Sequence, residues 1–241
     1  MQSIFRRQEI KFVLDTEKLE PLHSAMTEKI PPDKFPQYLV QSIYFDTPNW
    51  DIIRMSIEKP VYKEKLRLRC YGVPGEDTEM YLELKKKYRG VVNKRRIAFP
   101  MQELNKKTAK EIAADDETQI GRELDYYLQN HAVEERVHIS YNRHAFAGED
   151  GLRITLDTDI RFRTTTLDYQ NPGEGLEVLP QDLTVMEIKT LGGMPMWLAK
   201  ALSEYEIFPR SFSKYGAGYR KFIKGGNQAL MSPQNIEGGS F

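Results

Sequence analysis

The chain has 241 residues and a formal net charge of zero, because 35 Lys and Arg balance 35 Asp and Glu. Its 40% hydrophobic and 11% aromatic residues exclude a disordered chain, and the lone Cys70 excludes an internal disulfide, a CxxC redox pair and a thiolate zinc site. No apolar run reaches the ~18 residues of a membrane helix, and the first residues lack a signal peptide's apolar stretch, which favours a soluble, cytoplasmic protein.

Eight segments have the alternating or β-branched composition of strands. In chain order they are residues 7–12, 38–46, 65–70, 81–85, 91–99, 136–146, 152–157 and 185–189. Helical patterns predict helices over residues 15–30, 50–58, 117–131 and 195–206. We expect one domain over residues 1–224, followed by a flexible tail over 225–241.

Charge is unevenly distributed along the neutral chain. The segment from Lys59 to Arg96 holds 12 basic and five acidic residues, a net charge of +7. A positive field of this size indicates a polyanionic partner, although a solvated basic face is the alternative. Aromatic residues suited to base stacking are not concentrated on the cationic positions, which argues against nucleic acid.

The charges follow a period of two. In residues 65–70 the cations take one parity and the leucines the other, and the same alternation recurs in four more strands. In a single strand, this alternation usually means that the leucine side chains face the core and the charged side chains face water. Eight such strands with several helices to pack instead predict a closed antiparallel barrel, with helices outside and a charged interior.

The order of short motifs resembles the VTC domain, the catalytic unit of polyphosphate polymerases within the triphosphate tunnel metalloenzyme superfamily. The motifs are RQEIKF at 7–12, SIYFDT at 42–47, KLRLR at 65–69, YLELK at 81–85, YNR at 141–143, RITLD at 153–157, MEIK at 186–189 and SKYG at 213–216. The resemblance runs from about residue 6 to residue 222, nearly the whole chain.

The resemblance implies an α+β fold built on an eight-stranded antiparallel closed β-barrel, the triphosphate tunnel or CYTH-like fold. It implies transfer of the terminal phosphoryl group of ATP to a growing polyphosphate chain, with Mn²⁺ or Mg²⁺ as the divalent metal. Two alternatives stay open: a tunnel triphosphatase, and a non-catalytic module that binds polyphosphate or inositol phosphates. Export of the product would need a membrane-protein partner.

The resemblance also implies residue roles. Catalytic positions are Arg67, Arg69, Lys85, Arg143 and Arg153; phosphate or ATP ligands are Lys11, Lys65, Lys94, Arg96, Lys189 and Lys214; metal ligands are Glu187 and Glu9. Tunnel hydrolases and cyclases open with Glu-x-Glu-x-Lys, whereas Arg7 stands at the first acidic position here. Losing that carboxylate weakens a two-metal site and favours long polyphosphate over triphosphate hydrolysis.

Several acidic residues also have purely structural interpretations. Glu83 and Glu187 could balance neighbouring lysines, with Glu83 favoured for that role. Asp46 fits the cap of the helix after residue 50 better than a ligand. Asp157 and Asp159 could be second metal ligands or, the favoured interpretation, salt-bridge partners. Lys86 has the opposite parity to Lys85 and Lys87, which places it on the other face.

Overall fold

The structure is a computed structural model that describes residues 8–225. Its strands are β1 (Gln8–Asp15), β2 (Pro32–Asp46), β3 (Tyr62–Tyr71), β4 (Glu79–Tyr88), β5 (Val91–Pro100), β6 (Glu134–Ala147), β7 (Arg153–Arg163), β8 (Leu176–Glu177) and β9 (Leu183–Thr190). Its α-helices are α1 (Thr16–Lys29), α2 (Asp51–Ile57), α3 (Ala109–Asp115), α4 (Gln119–Asn130), α5 (Met196–Glu204) and α6 (Lys214–Gly218), and a π-helical turn over Tyr219–Lys224 follows α6. Arg7 and the predicted tail beyond Gly225 lie outside the described residues.

All eight predicted strands and all four predicted helices are present. The structure adds the two-residue strand β8 and the short helices α3 and α6. A sequence signal for α3 exists, because Thr108 and Glu111 form a reciprocal capping box at its start. Its buried face consists of Ile112 and two alanines, a weak apolar pattern, which explains why periodicity did not predict this helix.

The strands form an antiparallel sheet in the order β1-β9-β7-β6-β2-β3-β4-β5, with β8 beside β7. This arrangement, together with the helices, confirms the α+β class; closure into a barrel stays a prediction. The described residues divide into two compact units: unit 1 is residues 8–40, 141–160 and 179–213, and unit 2 is residues 41–140, 161–178 and 214–225. Strands β2, β6 and β7 each run through both units.

In unit 1 the apolar side chains of β1, β7 and β9 form one face. Phe12, Met186 and Leu156 are neighbours across these three strands. They pack with Leu22 of α1 and Leu198 of α5 in one buried cluster. Asp15 caps α1, its Oδ1 accepting from the backbone N–H of Lys18 at 2.9 Å.

In unit 2 the apolar face belongs to β3, β4 and β5. Leu66 lies opposite Leu84, and both pack with Ile112 of α3 and Leu124 of α4. The β4–β5 hairpin turns at Arg89 and Gly90, both with positive φ, as a tight two-residue turn requires. In unit 1 helices α1 and α5, and in unit 2 helices α3 and α4, pack on the apolar parity, so the charged parity lies on the opposite face of the strands.

Asp46 ends β2 with its carboxylate at the first turn of α2. Its two oxygens accept from the backbone N–H groups of Ile52 and Ile53 at 2.9 and 3.0 Å. The side chain thereby satisfies two N–H groups that have no partner inside the helix. This confirms the capping interpretation of Asp46. Among the helices of residues 8–225, none is long and apolar enough to cross a membrane.

Candidate functional site

The charged face of β3, β4 and β5 carries predicted phosphate ligands in register. Lys65, Lys85 and Lys94 lie side by side, one from each strand, and form the triple-lysine row. Two residues further along, Arg67, Glu83 and Arg96 form the Glu83 row. Arg69 lies in the next row, opposite Tyr81. We call these three rows of unit 2 the cationic face.

Glu83 is the carboxylate of this face and is 1% exposed. It accepts from Nε and Nη2 of Arg67 at 2.9 and 2.7 Å, contacts Lys94, and lies 3.6 Å from Arg96. Burial acts to raise the pKa of Glu83, but the charges of Arg67, Arg69 and Lys94 lower it to about 2. Glu83 is therefore ionised and balances cations, as the structural interpretation predicted.

One carboxylate does not balance the cationic face. Six cations lie on its three rows, and three of them are adjacent lysines. Like charges directly opposite one another on neighbouring strands destabilise a sheet. Burial lowers the pKa of Lys94, and the contact with Glu83 acts against that shift. The three rows thus concentrate six cations beside one carboxylate, a pattern that attracts an anion.

The other face of the same three strands is different. There Lys86 lies 3.8 Å from Glu64, directly opposite on β3, and Arg95 contacts Glu123 of α4 at 2.8 Å. Cations on the helix-covered side thus have carboxylate partners. The structure also resolves which side chains of the run 94–96 share the face: Lys94 and Arg96 belong to the cationic face and Arg95 does not. Lys86 lies off the cationic face, as its parity predicted.

Aromatic side chains underlie the cationic face. The hydroxyl of Tyr44 accepts from Arg67 at 3.0 Å, and its ring lies 4.9 Å from that of Tyr215. Tyr215 donates to Oδ2 of Asp46 at 2.6 Å and lies 5.7 Å from the ammonium of Lys65. Tyr215 follows the predicted ligand Lys214 at the start of α6. The Asp46 contact thereby fixes the helix turn that carries Lys214.

Tyr44 lies in an unusual electrostatic environment. Burial acts to raise its pKa, but the charges of Arg67, Arg69 and Lys65 lower it to about 7. Nε of Arg69 donates to the hydroxyl of Ser42 on β2, at 3.1 Å. Neither Tyr44 nor Ser42 was assigned a role from the sequence, although their alternation in SIYFDT is the signal that places both on one face.

Unit 1 brings another group of predicted residues together on β7, β9 and β1. Arg153, Lys189 and Glu9 are neighbours in one row, and Thr155, Glu187 and Lys11 in the next. The carboxylate of Glu187 contacts Lys189 at 2.7 Å, and Glu9 contacts Lys11 at 3.4 Å.

Glu187 is held in its ionised form. Burial acts to raise its pKa, whereas the charges of Lys189, Lys11 and Arg143 lower it well below the usual range. Positive and negative side chains therefore alternate across β9 and β1 and neutralise one another.

The two predicted arginines of unit 1 each have a carboxylate partner. Arg143 donates Nε and Nη2 to the two oxygens of Asp157, at 2.6 and 2.8 Å, and Asp157 is fully buried. Burial acts to lower the pKa of Arg143, but Tyr141 and Asp157 raise it well above its usual range. Arg153 donates to Asp33 at 2.9 Å and to Tyr38 at 3.0 Å. Asp157 is thus a salt-bridge partner, the interpretation that the sequence analysis favoured over a metal ligand.

The proposed metal ligands Glu9 and Glu187 lie on neighbouring strands, diagonal to each other and on one face. Within residues 8–225 no group of three or more His, Cys, Asp and Glu side chains is arranged to hold a metal ion. Mg²⁺ is commonly held by one or two carboxylates together with substrate phosphates, and carboxylate oxygens also suit Mn²⁺. The donor set of Glu9 and Glu187 fits such an ion.

Comparisons with known proteins identify the family and the fold. The model of the VTC domain matches residues 6–223. A proposed adenylyl cyclase from Hippeastrum, whose structure is reported to reveal a dominant triphosphatase activity, superposes with a TM-score of 0.56 at 18% identity, covering 90% of this chain and 96% of its own. A proposed adenylate cyclase from Bacillus halodurans superposes with a TM-score of 0.54 at 15% identity, covering 90% and 98%.

None of the curated proteins gives a significant sequence match. The two structures share the fold of this chain at identities too low to transfer an activity, whereas the family model covers nearly all of the sequence and agrees with the order of motifs from RQEIKF to SKYG. The chain belongs to the VTC domain family.

Proposed function

We propose that the protein is an inorganic polyphosphate polymerase, which transfers the terminal phosphoryl group of ATP to a growing polyphosphate chain. The observation that carries this proposal is the charge excess of the cationic face. The triple-lysine row holds no carboxylate, and the next row holds Glu83 alone between two arginines. Cations set side by side in this way create a positive field that attracts a polyanion. A closed tunnel around the substrate is the further expectation that family membership supports.

Phosphoryl transfer mainly requires the protein to position the reacting groups and to supply positive charge. The transition state of phosphoryl transfer spreads negative charge over equatorial oxygens, so fixed cations stabilise it. Arg67 and Arg69 present planar guanidinium groups, whose fork matches phosphate oxygens, and Lys65, Lys85 and Lys94 act as point charges. Where the acceptor is itself a phosphate, its oxygen is already ionised near neutral pH. No side chain then has to act as a general base.

A divalent cation belongs to the proposal, with Glu187 and Glu9 as its protein ligands. When bound, such an ion neutralises phosphate charge and helps to orient the reacting groups. Lys189 contacts Glu187 and helps to hold it ionised, the state that a metal ligand requires, and Lys11 contacts Glu9.

The test is incubation of the purified protein with ATP and Mn²⁺, followed by separation of the phosphate products by length. We expect long chains and a matching yield of ADP from the wild type. Glu187→Gln should abolish metal-dependent turnover and leave the circular dichroism spectrum unchanged. Glu64→Gln, which removes a carboxylate from the helix-covered face, is the matched control and should keep activity.

A tunnel triphosphatase is the second candidate, because the Hippeastrum protein of the same fold is reported to have that activity. It would release orthophosphate from tripolyphosphate or from a nucleotide, with no polymer. Arg7 at the first acidic position argues against it, since hydrolysis by tunnel enzymes is expected to use that carboxylate. ADP or orthophosphate without chains would reject the polymerase. Tight anion binding without turnover would identify a binding module.

A further inference from the structure

Exposed apolar residues cluster at the end of unit 2 that holds the β4–β5 turn. Tyr62 lies opposite Tyr88, and Tyr88 lies opposite Val91. The backbone N–H of Arg89 donates to the carbonyl oxygen of Val61 at 3.0 Å, which joins the residue before β3 to the turn. We call the resulting group the apolar tip; its five residues, each 43–63% exposed, are Val61, Tyr62, Tyr88, Val91 and Val92.

The apolar tip is exposed because it lies beyond the buried cluster of the same strands. Leu66 and Leu84 are completely buried and pack with side chains of α3 and α4. Tyr62 and Tyr88 have the same parity but lie four residues away, a distance of about 13 Å along the strands. Single exposed apolar residues are ordinary, whereas a contiguous group of them marks an interaction surface.

The exposed apolar residues lie on both faces of the β4–β5 hairpin. Tyr88 and Val91 share the parity of the helix-covered face, whereas Val92 lies opposite Lys87 and has the other parity. A globular partner covers one face of a hairpin, whereas a lipid layer surrounds a hairpin end that enters it. Apolar side chains on both faces therefore favour a lipid layer over the surface of another protein.

The strand ends around the apolar tip carry only positive charge. Residues 85–96 contain seven Lys and Arg and no Asp or Glu. Nearest the turn, Lys87 is exposed, and the guanidinium of Arg89 lies 5.3 Å from the centre of the Tyr88 ring. Within residues 8–225 neither of these two cations pairs with a carboxylate. Basic residues attract anionic lipid headgroups, and tyrosine suits the boundary between headgroups and acyl chains.

We propose that the apolar tip is a membrane-contact surface, which enters the headgroup region of an anionic phospholipid bilayer while Lys87 and Arg89 contact the lipid phosphates. The tyrosine and valine side chains supply apolar area, and the cations supply attraction to the charged surface. The long stems of lysine and arginine allow their charges to stay at the headgroups while the valines lie deeper. Contact with lipid needs neither ATP nor a metal, so this inference does not depend on the polymerase activity.

Two variants separate the apolar contribution from the electrostatic one. Y88S/V91S/V92S removes three apolar side chains and keeps every charge, whereas K87Q/R89Q removes two charges and keeps the apolar tip. Binding of the full chain to vesicles is measured by co-sedimentation over a series of salt concentrations. The vesicles consist of phosphatidylcholine alone or of phosphatidylcholine mixed with the anionic phosphatidylglycerol.

We expect wild type to bind the anionic vesicles and to bind pure phosphatidylcholine about tenfold more weakly. Each of the two tip variants should lose about tenfold in affinity for the anionic vesicles. The affinity of K87Q/R89Q should also depend less on salt, because salt screens the attraction that these charges supply. The matched control K110Q/Y126S removes an exposed lysine of α3 and an exposed tyrosine of α4, and it should bind as wild type does.

Fluorescence tests whether the apolar tip enters the lipid layer. Tyr88→Trp should shift its emission to shorter wavelength when anionic vesicles are added, and lipids with brominated acyl chains should quench it. Tyr126→Trp is the control, because Tyr126 is exposed on α4 away from the turn, and it should show neither change. The two native tryptophans contribute to the spectra of both variants alike.

Three outcomes would overturn the membrane-contact surface. The first is the absence of wild-type binding to anionic vesicles. The second is undiminished binding by Y88S/V91S/V92S, which would assign the lipid contact to the cationic face alone. The third is equal quenching of the tryptophans introduced at positions 88 and 126. Equal melting temperatures of the variants and wild type would show that the differences are not due to unfolding.

Discussion

The two units carry charged faces of opposite character. On the cationic face of unit 2, the three rows hold six cations and one carboxylate, that of Glu83, which contacts Arg67, Lys94 and Arg96. On the charged face of unit 1, four cations each contact a carboxylate. The cations are Lys11, Arg143, Arg153 and Lys189, and the carboxylates are Glu9, Asp33, Asp157 and Glu187.

This difference distinguishes charged residues that bind a ligand from charged residues that stabilise the fold. A charge that already has a partner gains little from a ligand, since the ligand must displace the partner or leave it unpaired. A row in which cations outnumber carboxylates attracts an anion more strongly. The pairs of unit 1 should therefore contribute mainly to stability and to the metal ligands, and the rows of unit 2 should contribute mainly to anion affinity.

The largest expected effect lies in unit 1, at Asp157. Replacing it by Asn leaves the guanidinium of Arg143 buried without its anion, because Asp157 is fully buried and binds both Nε and Nη2. We expect the free energy of unfolding in urea to fall by about 3–5 kcal/mol.

Asp33→Asn is the matched control for this change, because its pair with Arg153 is partly exposed. It should cost less than about 1 kcal/mol. Adding Arg143→Met to Asp157→Asn should recover part of the loss, since both partners are then neutral. An equal loss for the two Asp variants would remove the distinction between buried and exposed pairs in this unit.

Glu83→Gln tests the opposite behaviour in unit 2. The change removes the counter-charge of Arg67, Lys94 and Arg96, so the ligand-free protein should lose about 2–3 kcal/mol of stability. The same change raises the positive field of the face, and the affinity for tripolyphosphate should increase several-fold. Lower stability with tighter anion binding would support the comparison; weaker binding would show that Glu83 positions the arginines instead.

The parity of the strands allowed most of this face to be predicted from sequence. Alternation placed Lys65, Arg67 and Arg69 together, because side chains on a strand alternate between its faces. Alternation could not show whether Lys94 or Arg95 lies on the cationic face, since the run 94–96 has no apolar residue to mark the side that faces the core.

The register between paired strands could not be predicted from the sequence either. It depends on how separate strands pair, and it alone makes Lys65, Lys85 and Lys94 neighbours and sets Glu83 between two arginines. The partner of Arg153 is Asp33, 120 positions earlier in the chain, and no local pattern connects the two.

The acid side of the pH–stability profile tests the same carboxylate in the wild type. The pKa of Glu83 is about 2 in the folded protein against an ordinary value of 4.5, so the folded state holds the proton less tightly than the unfolded state does. The stabilisation from its ion pairs is complete above about pH 4.5 and is lost as the pH falls towards 2. Urea denaturation across this range should show a steeper decline for wild type than for Glu83→Gln, and parallel curves would contradict the lowered pKa.

The smallest expected effect is spectroscopic and concerns Tyr44. Its pKa is about 7 in the folded protein, against 10 for an ordinary tyrosine, so the Tyr44 phenolate forms in the ligand-free protein as the pH rises through neutrality. The contribution of the phenolate to the free energy of unfolding therefore grows between pH 7 and 10. An ultraviolet titration should show one tyrosine ionising near pH 7, and Tyr44→Phe should remove that step. Tyr81→Phe is the control, because its hydrogen bond to Glu79 and its burial raise the pKa of Tyr81 to about 12. Tripolyphosphate should move the ionisation of Tyr44 to higher pH, since a bound anion offsets the cations that stabilise the phenolate. An ionisation step at the same pH with and without tripolyphosphate would mean that the anion binds away from Arg67.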